Sequence, residues 1–359
     1  MKRLKKIKQQ IDGLLTSIEK DNKTKKIIYG FFMKDVKECS RKLIELDRQI
    51  ESNSVQPAEA CRKYSFFANE IIQKAEEFEK IVDRGLLKKV KNIFRMILID
   101  GPAYKSLLFK RAYEKPQGYP GDYHMIELFY DNKPISKGIG YCGDKYILND
   151  GYVIAVRKRK EYIKRILADL VENSTSSSIN IMNLGCGPCR EIRELMMSDI
   201  AKNTKLIFTL VDQDDDALSF SRNALKNLSC HAYGNIKYKF INTNILDLMN
   251  NIKYKNIIKR QDLIYSIGLA DYLPDTFLGR LIKYCFGQLR PGGKLIIAHK
   301  NIGRRKDIIP DWFCDWSFFQ RSKEDLADIF RTYIYNINYE IRFKEEKLKY
   351  FFFLIATKK

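Results

Sequence analysis

The segment NLGCGPCRE, Asn183 to Glu191, follows an apolar run and precedes a helical pattern. A buried strand that ends in a glycine-rich turn and opens a helix is compatible with few folds. Gly185 and Gly187 allow the main chain to approach a ligand closely, and the helix start presents N–H groups that have no partner within the helix. The surroundings alternate in the same way. Apolar runs predict strands at 179–184, 206–211, 236–241, 263–266 and 294–298, and helical spacing predicts helices at 152–171, 191–197, 216–227 and 278–289. Strands alternating with helices imply βαβ units and a parallel sheet. The C-terminal part differs. Runs at 339–343 and 350–356 flank the charged stretch 344–349 and read as a hairpin, so the last strand is expected to be antiparallel. The fold class is therefore α/β, with a Rossmann-like sheet of seven strands and an N-terminal all-helical domain.

Residues 1–150 form the expected helical domain, and 151–359 the sheet domain. Ile11, Leu14, Leu15 and Ile18 recur at helical spacing, as do Phe67, Ile71, Ile72, Ala75, Phe78 and Ile81. The stretch SNSVQP at 52–57 separates two helices. Residues 115–150 are dense in Gly, Pro, Asp and Tyr and read as a lid loop.

Three chemistries fit a glycine-rich turn after a strand. A dinucleotide fingerprint needs a third small residue, where Arg190 stands. Cys186 and Cys189 form a C-x-x-C pair, as in redox proteins, but too many strands surround it. The third reading is S-adenosylmethionine (SAM) binding. It expects an acidic residue at the end of the second strand to hold the ribose, and Asp212 stands there. It expects a polar residue after the third strand, near the adenine, and Asn244 fits. It expects a fourth strand that ends near the acceptor (Asp262 to Leu273), and a turn before the fifth, LRPGGKLII. All four occur in order. The cofactor-binding set is then Asn183, Gly185, Cys186, Gly187, Asp212, Gln213, Asn244, Ile245, Ser266 and Gly268.

The chain carries 65 Lys+Arg against 44 Asp+Glu, a net charge of +21, which favours anionic partners: an acidic lipid or acyl chain, an acidic acyl carrier protein, or nucleic acid. Against nucleic acid, the fourth strand leads into SIGLADYLP rather than an N-P-P-Y type element. A non-catalytic SAM-fold interaction module is a further alternative, which the intact Gly185, Gly187 and Asp212 oppose. The three histidines and eight cysteines show no metal pattern, so no metal is expected, and the cysteines are expected to be reduced. No apolar run approaches the roughly 20 residues of a membrane helix, and the basic start lacks a continuous apolar stretch; a cytoplasmic protein is expected.

Over about residues 150–359 the chain resembles class I SAM-dependent methyltransferases. KPQGYPGDYHMIELFY (115–130), AVRKR (155–159), YSIGLADYLPD (265–275) and DWSFFQRSKEDL (315–326) further resemble the methyltransferases of 3-hydroxypalmitic acid methyl ester biosynthesis, a bacterial quorum-signal family. That resemblance implies methylation of a hydroxylated fatty acid at its carboxylate. It places Tyr119, Asp122 and Tyr123 as a lid over the methyl donor and Tyr272 at the strand-four mouth, as the catalytic set. Arg157, Arg159, His299 and Arg321 are the candidates for seating the acceptor. Trp312 and Trp316 either wall its channel or pack in the core.

Overall fold

The computed structural model describes residues 2–16, 22–99, 101–198, 205–229, 235–251, 254, 258, 260–302 and 308–359. His231, Cys230 and Ile18 lie outside the described residues. The chain forms two compact units, one of residues 1–121, 131–150 and 306–317, the other of residues 122–130, 151–305 and 318–359.

The first unit is helical. It contains α1 (Lys2–Thr16), α2 (Asn22–Gly30), α3 (Lys37–Glu51), α4 (Pro57–Glu79), α5 (Arg84–Ile99), α6 (Leu107–Glu114) and, after a segment of the second unit, α8 (Ile139–Leu148). Pro57 sits in the first turn of α4, where its missing N–H costs nothing, so the break at 52–57 falls where expected. Trp312 is fully buried in this unit, edge-on to Phe31, Phe78 and Phe94, and so serves as core.

Two expectations fail here. The stretch 115–150 is not one loop: it holds α8 and, in the second unit, α7 (Tyr123–Asp131). Its glycines serve close packing as well as turns. A Cβ on Gly140 would lie 2.2 Å from the Lys105 carbonyl oxygen, so α8 crosses the Lys105 backbone where only glycine fits. Gly140→Ala is expected to cost about 3 kcal/mol by overpacking, read from urea unfolding; an unchanged midpoint would show that α8 can shift. The cysteines are not all reduced either. Cys61 on α4 and Cys142 on α8 form a disulfide, while Cys39, Cys186, Cys189, Cys285 and Cys314 are buried free thiols. The pair is 81 residues apart, so spacing alone does not reveal it.

The second unit is a seven-stranded sheet with helices. After α7 come α9 (Gly151–Glu172), β1 (Ser178–Leu184), α10 (Arg190–Met196), β2 (Lys205–Asp212), α11 (Asp215–Ser229), β3 (Ile236–Asn242), α12 (Ile245–Asn250), β4 (Gln261–Ser266), α13 (Asp275–Gln288), β5 (Leu289–Lys300), α14 (Lys323–Tyr333), β6 (Tyr339–Glu345) and β7 (Phe351–Lys358). The strand order is β3-β2-β1-β4-β5-β7-β6. All pairings are parallel except those of β7, which runs antiparallel to both β5 and β6. This is the Rossmann-like sheet of seven strands with an antiparallel last strand that the sequence suggested.

One apolar layer joins the inner face of α9, through Ile163, Leu167 and Val171, to Ile181, Phe208 and Leu263 of the sheet. A second layer, on the opposite face, packs Leu278, Ile282 and Phe286 of α13 and Phe330 of α14 against Met182, Ile264 and Leu354. Burial on both faces explains why the central strands read as continuous apolar runs. No helix of the described residues is long and apolar enough to cross a membrane.

Candidate functional site

From β1 the chain passes to β2 and β3 on one side, then returns to β4 on the other. β1 and β4 are thus neighbours across a change of direction, and ligands of open α/β sheets bind outside the strand ends at such a point. The glycine-rich turn sits there. Gly185 and Gly187 both have left-handed backbone, φ +61° and +50°. A Cβ on Gly187 would meet nothing within 4 Å, so its constraint is backbone angle. The turn is closed by the Cys189 N–H donating to the Cys186 carbonyl at 3.1 Å, and it is tied to β2 by the Cys186 N–H on the Val211 carbonyl. The Ser221 hydroxyl holds the Gly187 carbonyl at 2.7 Å.

Asp212 ends β2 and faces the turn. Its Oδ2 accepts from the Gly187 N–H at 2.8 Å, and its Oδ1 from the Asp214 N–H at 3.1 Å. Burial pushes its carboxyl above the ordinary aspartate value, and the two amides oppose that rise. A 9% exposed carboxylate oriented by backbone amides is an acceptor for hydroxyl groups.

The turn rests on a buried polar group that the sequence did not single out. Glu191 Oε1 accepts from Asn183 Nδ2 at 3.0 Å and from the Tyr265 hydroxyl at 2.7 Å. Burial raises the Glu191 pKa, and the Tyr265 bond pulls it back. Asn183 therefore acts from beneath the turn, with its Oδ1 lacking any partner. The available signal was the motif itself, since Glu191 closes it.

The redox reading of Cys186 and Cys189 loses ground. A hydrogen bond to Cys189 and burial push the Cys186 thiol well above its ordinary pKa, the reverse of an activated thiolate.

Elsewhere at the strand ends, Gln213 is exposed, and its carbonyl accepts from Asn242 Nδ2. Asn244 caps α12 through the Asp247 N–H at 2.9 Å, and Ile245 follows it, half-buried. The Ser266 hydroxyl binds the Leu184 carbonyl at 2.8 Å, locking β4 to β1. Gly268 follows, and a Cβ there would lie 3.9 Å from Arg159 Nη2.

The residues of the resemblance divide. Tyr119 lies in the helical unit, just before Gly121. Asp122 is buried and caps α7, its Oδ1 accepting from the Met125 N–H at 2.8 Å. Tyr123 packs on Phe220. α7 is anchored by Glu127, whose Oε2 pairs with Arg190 at 2.8 Å and Arg193 at 2.9 Å. Tyr272 is partly exposed and packs on Phe318.

Arg157 donates to the Phe129 carbonyl at 3.2 Å. Arg159 is buried against the Phe351 ring. His299 is fully buried, with Nδ1 2.8 Å from the Lys300 carbonyl and Nε2 3.0 Å from Arg321 Nη1. Both ring nitrogens of His299 are thus engaged by the chain itself. Arg321 also donates to the carbonyls of Ala270 and Leu273 and pairs with Asp275. His299 and Arg321 thus hold the loop after β4, while Arg159 stands by that loop with its Nε unpartnered.

No family model matches the chain, and no curated protein matches it. Among solved structures, a "possible exported protein" from Bordetella parapertussis is similar over 90% of this chain and 95% of its own, with a TM-score of 0.50 and 15% identity. Magnesium protoporphyrin IX methyltransferase from Synechocystis PCC 6803, with bound SAM, matches 58% of this chain and 85% of its own, at a TM-score of 0.40 and 14% identity. An amino pentose methyltransferase from Micromonospora echinaspora matches 58% and 97%, at 0.37 and 12%. At 15% identity, the first likeness is one of fold.

Proposed function

We propose that the chain is a SAM-dependent methyltransferase whose acceptor is the carboxylate of a 3-hydroxy fatty acid or a related small acid. The observation that carries the methyltransferase reading is Asp212, oriented by the Gly187 N–H at the tip of β2 beside a turn of two left-handed glycines. The residues present fit the cofactor. Asp212 would accept the ribose hydroxyls. Gly185 and Gly187 leave the main chain bare for the methionine part, and Gln213, Asn244 and Ile245 border the adenine side. Bound SAM supplies an activated methyl group on a cationic sulfur. The work left to the protein is to place the acceptor oxygen in line with it, and orientation of that kind accounts for large rate gains.

A carboxylate acceptor suits this site. It is ionised at pH 7 and needs no general base. His299 is committed to Arg321 and the Lys300 carbonyl, so it is not poised to act as one. The rings of Tyr152, Phe318 and Tyr272 provide apolar surface for a chain. The net charge of +21 favours an anionic acceptor, free or presented by an acidic acyl carrier protein.

The test is methyl transfer from labelled SAM to a panel of long-chain 3-hydroxy acids, with methyl esters detected by mass. Ester formation is the expected result. Tight SAM binding with no ester from any acid would remove the carboxylate reading and turn the search to other acceptors, RNA included.

A further inference from the structure

Arg159 lies two turns into α9, on the same helix as Tyr152. It is only 5% exposed, and its Cζ stands 4.5 Å from the centre of the Phe351 ring. It hydrogen-bonds the Tyr130 hydroxyl, itself buried. Its Nε has no partner, and among the described residues no carboxylate pairs with it. The contrast with its neighbour is instructive. Lys160, one residue on, is equally buried and is paired with both Glu161 and Glu194.

Burying a cation without a counter-ion costs several kcal/mol, and a protein normally satisfies such a group. The Arg159 fork instead points to Gly268, just past β4, where the absence of a side chain leaves it open. A second buried cation is near. Lys300, at the end of β5, lies 5.6 Å from the Tyr152 ring centre and 5.0 Å from that of Phe318, and Tyr152 also packs on Phe351. One run of rings therefore carries both charges at the C-terminal edge of the sheet. A planar guanidinium beside a glycine suits a planar anion bound through two oxygens.

We infer that Arg159 is the carboxylate-binding residue of this site, with Gly268 kept small to admit that carboxylate. The inference rests on the methyltransferase reading, and the chemistry has two sources there: the aminoacyl carboxylate of SAM, or the carboxylate of the acceptor. Either would give the buried cation the counter-ion that the chain itself withholds.

The experiment compares wild type, Arg159→Met, Arg159→Lys and Gly268→Val. Calorimetry measures binding of S-adenosylhomocysteine and of 5′-methylthioadenosine, which lacks the amino-acid portion, and circular dichroism checks the fold. If the cofactor is the source, Arg159→Met weakens S-adenosylhomocysteine at least about tenfold and leaves 5′-methylthioadenosine within about twofold. If the acceptor is the source, both affinities hold, while KM for the acid rises at least about tenfold. Arg159→Lys keeps the charge but not the fork and recovers part of the loss. Gly268→Val keeps both Arg159 and Phe351 in the chain and fills the space beside the guanidinium, so it reports on the same site should Arg159→Met unfold. Folded variants with wild-type affinities and wild-type KM would overturn the inference alone. Failure of the wild type to bind either nucleoside would overturn the methyltransferase reading, and this inference with it.

Discussion

Asp212→Ala is expected to weaken S-adenosylhomocysteine binding about a hundredfold and to abolish methyl transfer at ordinary cofactor concentrations. The carboxylate is oriented before any ligand arrives, by the amides of Gly187 and Asp214. Charge-assisted bonds to two hydroxyls are each worth about 1.5–3 kcal/mol, and a hundredfold corresponds to about 2.7 kcal/mol. The alanine variant also leaves the Gly187 N–H without its acceptor, so the turn loses its template. Asp212→Asn keeps an oxygen for that N–H and should fall between the two. The same carboxyl predicts a pH signature. Burial holds its pKa above the ordinary aspartate value, so acidification protonates it earlier than an exposed aspartate. Affinity is then present above that raised pKa and falls about tenfold for each pH unit below it. Calorimetric titration across the acid range checks both statements; a fully active Asp212→Ala protein would remove the cofactor assignment.

Glu191→Ala should be the most destabilising single change at the site, by about 3–5 kcal/mol in urea unfolding. It strands two buried donors, the Asn183 amide and the Tyr265 hydroxyl, and opens a hole under the turn. Glu191→Gln retains an acceptor oxygen in the same place and should cost about 1 kcal/mol. The two also differ in pH response. A carboxyl whose folded pKa is raised binds its proton more tightly in the folded state, so it favours folding at acid pH. That contribution disappears as the pH climbs through the raised value, and the glutamine variant lacks it. Equal stability of the alanine and glutamine variants would mean that the donors find other partners.

Which parts of this architecture are readable from the chain follows from where the information resides. β1, β2 and β4 were legible to within about two residues, because strands covered on both faces are largely apolar along their length, and β3, at the sheet edge, was legible although it is only half-buried and carries Lys237 and Lys239. The hairpin β6–β7 was legible from the charged stretch at its turn. β5 was read too short. It runs from Leu289 through Pro291 and both glycines, with a register shift opposite Gln261 and Leu263, and glycines suggested a turn where the structure has an irregular strand. α8 was missed for the same reason: Gly140 and Gly143 serve contact with Lys105 and Ser106, and contact has no local sequence pattern. At the candidate site, the meeting of Gly185, Gly187 and Asp212 at one turn was legible because backbone geometry and motif order determine it. The Tyr265–Glu191–Asn183 network, whose Tyr265–Glu191 bond alone spans 74 positions, was not. Arg159 and Lys160 are adjacent basic residues on one helix, and only the partners that the fold brings to them set them apart.

The cross-link between α4 and α8 has a consequence for the denatured chain. Closing a loop of 81 residues removes conformational freedom that unfolding would otherwise release, on the order of 4.5 kcal/mol in the chain-entropy model. The helical unit is the part that holds this bond, and the strands of the sheet unit carry no counterpart among the described residues. The redox potential of the surroundings therefore acts on the persistence of the helices, while the groups proposed to hold the cofactor, Gly185, Gly187 and Asp212, lie outside the loop that this bond closes. The helical unit of one and the same sequence can thus be longer-lived in an oxidising compartment than in a reducing one.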